Sequence, residues 1–131
     1  MKRTTLGDTG LEIPQLIFGC WGITSDFQWK DRQEAESLEA IDAAIEMGAN
    51  FFDTAEMYAE GASEELLGRA IAGRRDRVII ASKVAPPNMR PEKVIEACEN
   101  SLRRLGTDHL DLYQTHWFMD RDIPEIGRAH V

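Results

Sequence analysis

Hydrophobic positions along the chain follow two alternating rhythms. Short apolar runs recur at Gln15-Leu16-Ile17-Phe18-Gly19, Asn50 to Asp53, Val78 to Lys83 and Leu110 to His116. Each has the length and composition of a strand, and the first reads as a buried one. Between them, apolar residues recur at helical spacing: Leu38, Ile41 and Ile45; then Leu67, Ala70 and Ile71; then Val94, Ile95, Cys98, Leu102 and Leu105 on one predicted face. The helix ends carry their own signals. Asp31 with Glu34 three residues on fits a capping box, and Ser63 with Glu64 and Glu65 marks a start that suits the helix dipole. Pro91 fits a first turn, while Gly48, Gly73 and Gly106 supply stops. Ahead of all these, Thr4 to Ile13 reads as a hairpin turning at Gly7-Asp8-Thr9-Gly10, and Trp21 to Lys30 as a polar, aromatic loop.

Strand followed by helix, repeated about every 30 residues, implies parallel strands joined by crossovers. A doubly wound dinucleotide fold would carry a glycine-rich first turn of the type G-x-G-x-x-G. The equivalent segment here is Gly19-Cys20-Trp21-Gly22, which lacks that pattern. A (β/α)8 TIM barrel predicts instead that chemically active side chains sit at the carboxyl ends of successive strands. Asp53, Lys83 and His116 hold those positions. Alternation also sets Phe51 with Asp53, Ile79 and Ala81 with Lys83, and Leu112 with His116 on shared faces. Charged groups turned into a packed barrel interior need mutual pairing.

Composition narrows the function. A net charge of −8 in 131 residues, with both signs interleaved, argues against a phosphate-backbone partner. After Met1-Lys2-Arg3 the chain turns polar, and no apolar run reaches the ~18 residues of a membrane span. A cytoplasmic protein that engages neither nucleic acid nor membrane is expected. Cys20 and Cys98 have no metal-type spacing and read as buried free thiols. His109 beside Asp108 and Asp111 mixes strand face and loop, a poor metal site, and no metal is expected. Arg74-Arg75-Asp76-Arg77 reads as a solvated connector.

Asp53, Tyr58, Lys83 and His116 together suggest proton donation to a carbonyl. Reduction of a ketone or aldehyde needs an acid at the oxygen while hydride reaches the carbon, and tyrosine, with a pKa near 10, is a poor acid unless a cation stabilises its phenolate. Lys83 is the candidate cation, Asp53 its counter-ion, and His116 a second donor to the carbonyl oxygen. Each residue has a plainer reading as well: a strand terminus for Asp53, a loop aromatic for Tyr58, a solvated strand end for Lys83, a satisfied core imidazole for His116. Their joint occurrence in barrel register favours the site.

Asp53-Thr54-Ala55 with Tyr58, Ser63-Glu64-Glu65-Leu66-Leu67-Gly68 with Ala70, Ser82-Lys83, and Asp111-Leu112-Tyr113-Gln114-Thr115-His116 closely resemble the aldo-keto reductases. More narrowly, they resemble the bacterial-type branch related to the potassium-channel β subunits, as does the opening Thr5-Leu6-Gly7-Asp8-Thr9-Gly10-Leu11, which in that branch closes the barrel floor. The resemblance runs from residue 3 to residue 124. It implies a (β/α)8 barrel, here the hairpin and the first four β/α units, and a small carbonyl substrate reduced by NADPH or NADH. It further implies Tyr58 as general acid, Lys83 and Asp53 tuning it, and His116 at the carbonyl oxygen. Asp53 would also meet the nicotinamide ribose, and Gly19, Cys20 and Trp21 would line the cofactor site. Trp21, Tyr58, His116 and Trp117 are expected around the substrate, with Phe118 and Met119 following. Two departures lie in the active-site loop: Ala59 follows Tyr58 where the family usually has glycine, and Ala62 stands where a basic or polar residue is common.

In the family the chain continues after Asp122-Ile123-Pro124 into a fourth helix and four more strands, which hold most of the cofactor. Here Glu125 to Val131, including His130, shows neither stripe nor alternation, and Ile126 to Val131 can be encoded by a widely used sequencing-adapter sequence read in frame. The expectation is therefore an enzyme's first half, residues 1–124, followed by a non-native tail. Four strands alone leave open edges, so this piece is expected to fold poorly and to lack activity by itself. Two alternatives stay open: a cofactor-binding regulatory subunit with little turnover, and a half-barrel that assembles with a partner.

Overall fold

The computed structural model describes residues 1–25 and 31–117. Part of the Trp21–Lys30 loop, the Phe118-Met119 pair, His130 and the 125–131 tail lie outside the described residues. A hairpin of β1 (Arg3–Thr5) and β2 (Glu12–Pro14) comes first, paired antiparallel with Thr4 opposite Ile13. Gly7 and Gly10 both take left-handed backbone in its turn, closed by Leu6 N–H donating to the Leu11 carbonyl at 2.9 Å. Four parallel strands follow in sequential order: β3 (Phe18–Gly19), β4 (Phe51–Asp53), β5 (Ile79–Val84) and β6 (Leu112–Thr115). Helices α1 (Glu34–Glu46), α2 (Ala62–Ile71) and α3 (Pro91–Leu105) connect them.

The period-2 alternation divides the sheet into two working faces. Phe52 and Ile80 turn toward the helices and pack with Ile41, Ile45, Leu66, Leu67, Ile71 and Leu105. Phe51, Ile79 and Ala81 turn the other way, into a cluster completed by Ile13 and, at its edge, Leu6, Leu11 and Leu112. The hairpin thus lies under the inner face at the end where the strands begin. Asp53, Lys83 and His116 lie at the other end, where the strands finish.

Several local expectations are corrected. Only Phe18 and Gly19 of the first run form a strand, while Leu16 and Ile17 are 60% and 45% exposed. Among the described residues β3 is an edge strand whose one neighbour is β4, and no described strand covers its leading residues. Asp31 does not cap α1. Its φ of 62° is left-handed where a cap needs extended backbone, and the helix starts after Gln33, which is extended but makes no side-chain cap bond. The α3 stripe is rotated from its predicted face: Ala97, Ser101 and Leu105 are buried, Cys98 is half-buried and Ile95 is 62% exposed. The end of α3 packs closely on α2. A Cβ on Gly68 of α2 would lie 2.7 Å from the Leu105 carbonyl oxygen, so the helices approach where their residues are smallest.

In the Arg74–Arg77 connector Asp76 and Arg77 are exposed, as expected of a solvated segment, while Arg74 and Arg75 are partly buried and pinned. Arg75 donates to Asp111 Oδ2 at 2.6 Å and to the Val78 carbonyl at 2.9 Å, and the same Asp111 oxygen accepts the Ile80 N–H at 2.8 Å. The pair therefore braces the start of β5 against the approach to β6. Arg74 and Arg77 reach back to Asp42 and Glu46 of α1. With Asp111 committed here, His109 is left with Asp108, at 2.7 Å. Among the described residues, no helix is long and apolar enough to cross a membrane.

Candidate active site

Lys83 projects from β5 on the inner face and is largely enclosed. An ammonium drawn out of water must satisfy three donors, and three acceptors surround this one. The Asp53 carboxylate lies 2.9 Å away, the Thr54 carbonyl 2.8 Å and the Tyr58 hydroxyl 3.2 Å. The ammonium also lies 4.9 Å from the centre of the Tyr58 ring. Asp53 and Thr54 come from the end of β4, which is in parallel register with β5, Asp53 opposite Ala81. Lys83 stands two residues beyond that level on the same face of β5, and its long side chain reaches the carboxylate at the end of β4.

Tyr58 reaches the site from a tight turn, Tyr58–Gly61, in which Ala59, Glu60 and Gly61 all have positive φ, at 48°, 54° and 95°. Left-handed backbone costs an L-residue about 1–2 kcal/mol, so this turn stores strain that its surroundings must hold. Two contacts hold it. The Glu56 carboxylate accepts the Ala85 N–H at 2.5 Å and the Asn88 amide at 3.1 Å, tying the turn's approach to the loop after β5. On the far side Arg104 lies across Gly61, where an added Cβ would meet its side chain at 2.6 Å.

His116 follows β6, its N–H bonded to the Val84 carbonyl at 3.0 Å. Its ring stands edge-on to Tyr58, with centroids 5.4 Å apart, and packs against Trp117 at 4.6 Å. Burial, and next the Lys83 ammonium, pull its pKa below the usual imidazole value, opposed by Asp53 and Glu56. The ring is therefore neutral at neutral pH. Its Nδ1 is buried and has no protein partner among the described residues. Trp21 closes the other flank, 6.4 Å from Tyr58 and half-exposed, and Trp117 is equally exposed.

Gly19 is exposed, with open space where a Cβ would stand. Cys20 is oriented otherwise: its side chain is fully buried, its N–H donates to the Asp53 carbonyl at 2.9 Å, and its own carbonyl accepts from Ser63 at 2.8 Å. Burial, then Asp53, raise its thiol pKa well above the ordinary range, with Lys83 opposing. All of its polar groups are engaged within the protein.

Asp53, Tyr58, Lys83 and His116 thus come together, with Trp21 and Trp117 at the rim. The residues behind them were missed. Glu64, read as a helix-dipole charge, is fully buried and accepts from Ser82 at 2.5 Å and from Arg104 at 2.7 Å. Ser63, read with it as a helix start, contacts Thr54.

The sequence pattern of the aldo/keto reductase family matches residues 15–126, and the chain belongs to that family. Its hairpin and parallel sheet are the opening part of the family's (β/α)8 barrel. It is 40% identical over 127 residues to the aldo-keto reductase YhdN of Bacillus subtilis, covering 89% of this chain and 38% of the relative. It is 45% identical over 107 residues to the methylglyoxal reductase YeaE of Escherichia coli, covering 82% and 36%. Among solved structures, a thermostable aldo-keto reductase in complex with epalrestat superposes with a TM-score of 0.81 at 42% identity, over 92% of this chain and 44% of that one. An aldo/keto reductase from Klebsiella pneumoniae in complex with NADP and acetate gives 0.75 at 38% identity, over 87% and 43%. The chain spans less than two fifths of these curated relatives.

Proposed function

We propose that the full-length protein carrying this chain reduces aldehydes or ketones to alcohols with NADPH or NADH. The observation that carries this reading is the Lys83 ammonium, shared among Asp53, the Thr54 carbonyl and the Tyr58 hydroxyl, with the His116 ring edge-on to that tyrosine. When bound, the reduced nicotinamide supplies a hydride to the carbonyl carbon. Tyr58 gives its proton to the oxygen, so that C–H and O–H bonds replace the carbonyl π bond. The phenolate left behind is stabilised by the ammonium 3.2 Å away, which Asp53 holds in place. His116, uncharged, adds a hydrogen bond to the same oxygen and orients the substrate.

The chain's residues fit such a cofactor and substrate. Open space over Gly19 and a half-exposed indole at Trp21 leave room for small molecules beside Tyr58. Gly19, Trp21 and Asp53 would hold the nicotinamide end, Cys20 contributing only through the backbone it braces. Trp21 and Trp117 would bound the carbonyl substrate. A cofactor of this type in the Klebsiella structure, and the activity in the Escherichia coli relative's name, support the choice.

The test follows NADPH absorbance at 340 nm with the full-length protein and a panel of carbonyls beginning with methylglyoxal. Tyr58→Phe is expected to lower turnover by about 10²–10⁴-fold, the range of a general acid, while cofactor affinity changes little. Equal rates in the two proteins would refute the assignment, and cofactor binding without turnover in either would favour a regulatory subunit.

A further inference from the structure

Behind the site lies a line of buried hydroxyls that the proposed chemistry does not use. Thr54 and Ser63 are both fully buried, the first just past β4 and the second in the first turn of α2. Ser63 Oγ donates to the Cys20 carbonyl at 2.8 Å. A hydroxyl has one proton, so the 3.2 Å contact between Ser63 Oγ and Thr54 Oγ1 is donated by Thr54. The order is therefore Thr54 hydroxyl to Ser63 hydroxyl to Cys20 carbonyl, and it runs from β4 through α2 to the end of β3.

Every polar atom of Thr54 is engaged. Its N–H donates to the Ala81 carbonyl at 2.9 Å, its hydroxyl to Ser63, and its carbonyl accepts from Lys83 Nζ at 2.8 Å. The Thr54 carbonyl is thus one of the three acceptors that decide where the ammonium points, and the residue carrying it is fixed by its side chain. Asp53 is held in the same frame, because its carbonyl accepts the Cys20 N–H.

We propose that the Thr54–Ser63 hydroxyl pair is a positioning device for the reductase reaction, aiming the Lys83 ammonium at Tyr58 and locking that aim to the Gly19–Trp21 segment. Neither residue is catalytic: Thr54 acts through Lys83, and Ser63 through Thr54 and Cys20. The inference rests on the reductase reading above. A merely structural pair would affect stability and leave the reaction's pH dependence alone. A positioning pair alters how well the ammonium stabilises the phenolate.

The experiment uses the full-length enzyme. Thr54→Val removes the hydroxyl and keeps the shape, Thr54→Ser restores the hydroxyl, and Ser63→Ala removes the acceptor. For Thr54→Val, kcat is expected to fall about tenfold or more, on the scale of a sub-ångström misplacement, with the KM for the carbonyl within about twofold. The alkaline limb of the kcat–pH profile is expected to move to higher pH, because the phenolate has lost part of its stabilisation. Thr54→Ser returns both readouts toward wild type. A folded Thr54→Val enzyme with unchanged kcat and an unmoved limb overturns the proposal. If that variant fails to fold, Ser63→Ala decides by the same two readouts. Tyr58→Phe separates the two ideas: full activity there sinks the reductase reading itself, whereas an inactive Tyr58→Phe beside a wild-type Thr54→Val sinks the positioning inference alone.

Discussion

Replacing Arg104 by methionine tests the fully buried charge of Glu64. Glu64 is fully buried, and its carboxylate has two side-chain donors, the Ser82 hydroxyl at 2.5 Å and the Arg104 Nε at 2.7 Å. Methionine keeps the length of the stem that lies over Gly61 but removes the cation, leaving a buried carboxylate with one neutral donor. Breaking a buried pair in this way costs about 3–5 kcal/mol, because the surviving charge has neither water nor a counter-charge. Glu64→Gln alone leaves Arg104, which is partly exposed and can rehydrate, so its cost is expected to be smaller. In the double variant the buried group is neutral and still able to bond Ser82. Coupling of about 2 kcal/mol or more is therefore expected, the double variant being more stable than the sum of its parts. Denaturant unfolding of the full-length protein and its three variants measures all four corners, provided the slopes with denaturant agree. A cost below about 1 kcal/mol for Arg104→Met, or simple additivity, would show that the pair does not hold Glu64 in place.

Three further outcomes are expected. Ala59→Gly should raise stability by about 1 kcal/mol in denaturant unfolding, relief of the left-handed φ of 48° exceeding the entropy that glycine loses, and a destabilised variant would contradict the strain argument. His116 binds its proton more weakly in the fold than in the unfolded chain, where its pKa is about 6.5, so the unfolded state takes up more protons as pH falls. Stability should decline as pH drops through about 6.5, and His116→Gln should remove that part of the decline in urea titrations from pH 8 to pH 5. Cys20 should resist a thiol reagent at pH 8 until the protein unfolds, since it is buried and its thiolate is disfavoured, while the half-buried Cys98 reacts first; early labelling of Cys20 by mass spectrometry would contradict its placement.

What was legible in the sequence was whatever follows from periodicity. Alternation placed Phe51 with Asp53 and Ala81 with Lys83 because a strand has no other way to arrange its side chains. Terminal glycines stopped helices where left-handed backbone is needed, as at Gly106 with φ 63°. Features that depend on a neighbour's shape were not legible. The close approach of α3 to α2 rests on Gly68, one helix away, and the exposure of Leu16 and Ile17 on β3 lying at an edge among the described strands. Arg75 looked like solvent-facing charge because its partner Asp111 lies 36 positions on. Glu64 looked like an ordinary first-turn acid, because nothing local distinguishes a carboxylate facing water from one facing Ser82 and Arg104.

The charges of the candidate site explain why these second-layer contacts matter. Lys83 is drawn into the inner face of the sheet, and its partner Asp53 cancels its charge without reaching Tyr58 in its place. The same ammonium helps keep His116 neutral. In the proposed reaction one cation would have two tasks, to stabilise a phenolate on one side and to disfavour an imidazolium on the other, and both depend on distance. A shift of Nζ toward Asp53 would weaken both at once. The Thr54 carbonyl is the acceptor that opposes such a shift, because it comes from the peptide frame and not from a rotatable side chain. On the proposed reading, the buried hydroxyls that fix Thr54 would thereby govern the balance between the tyrosine and the histidine.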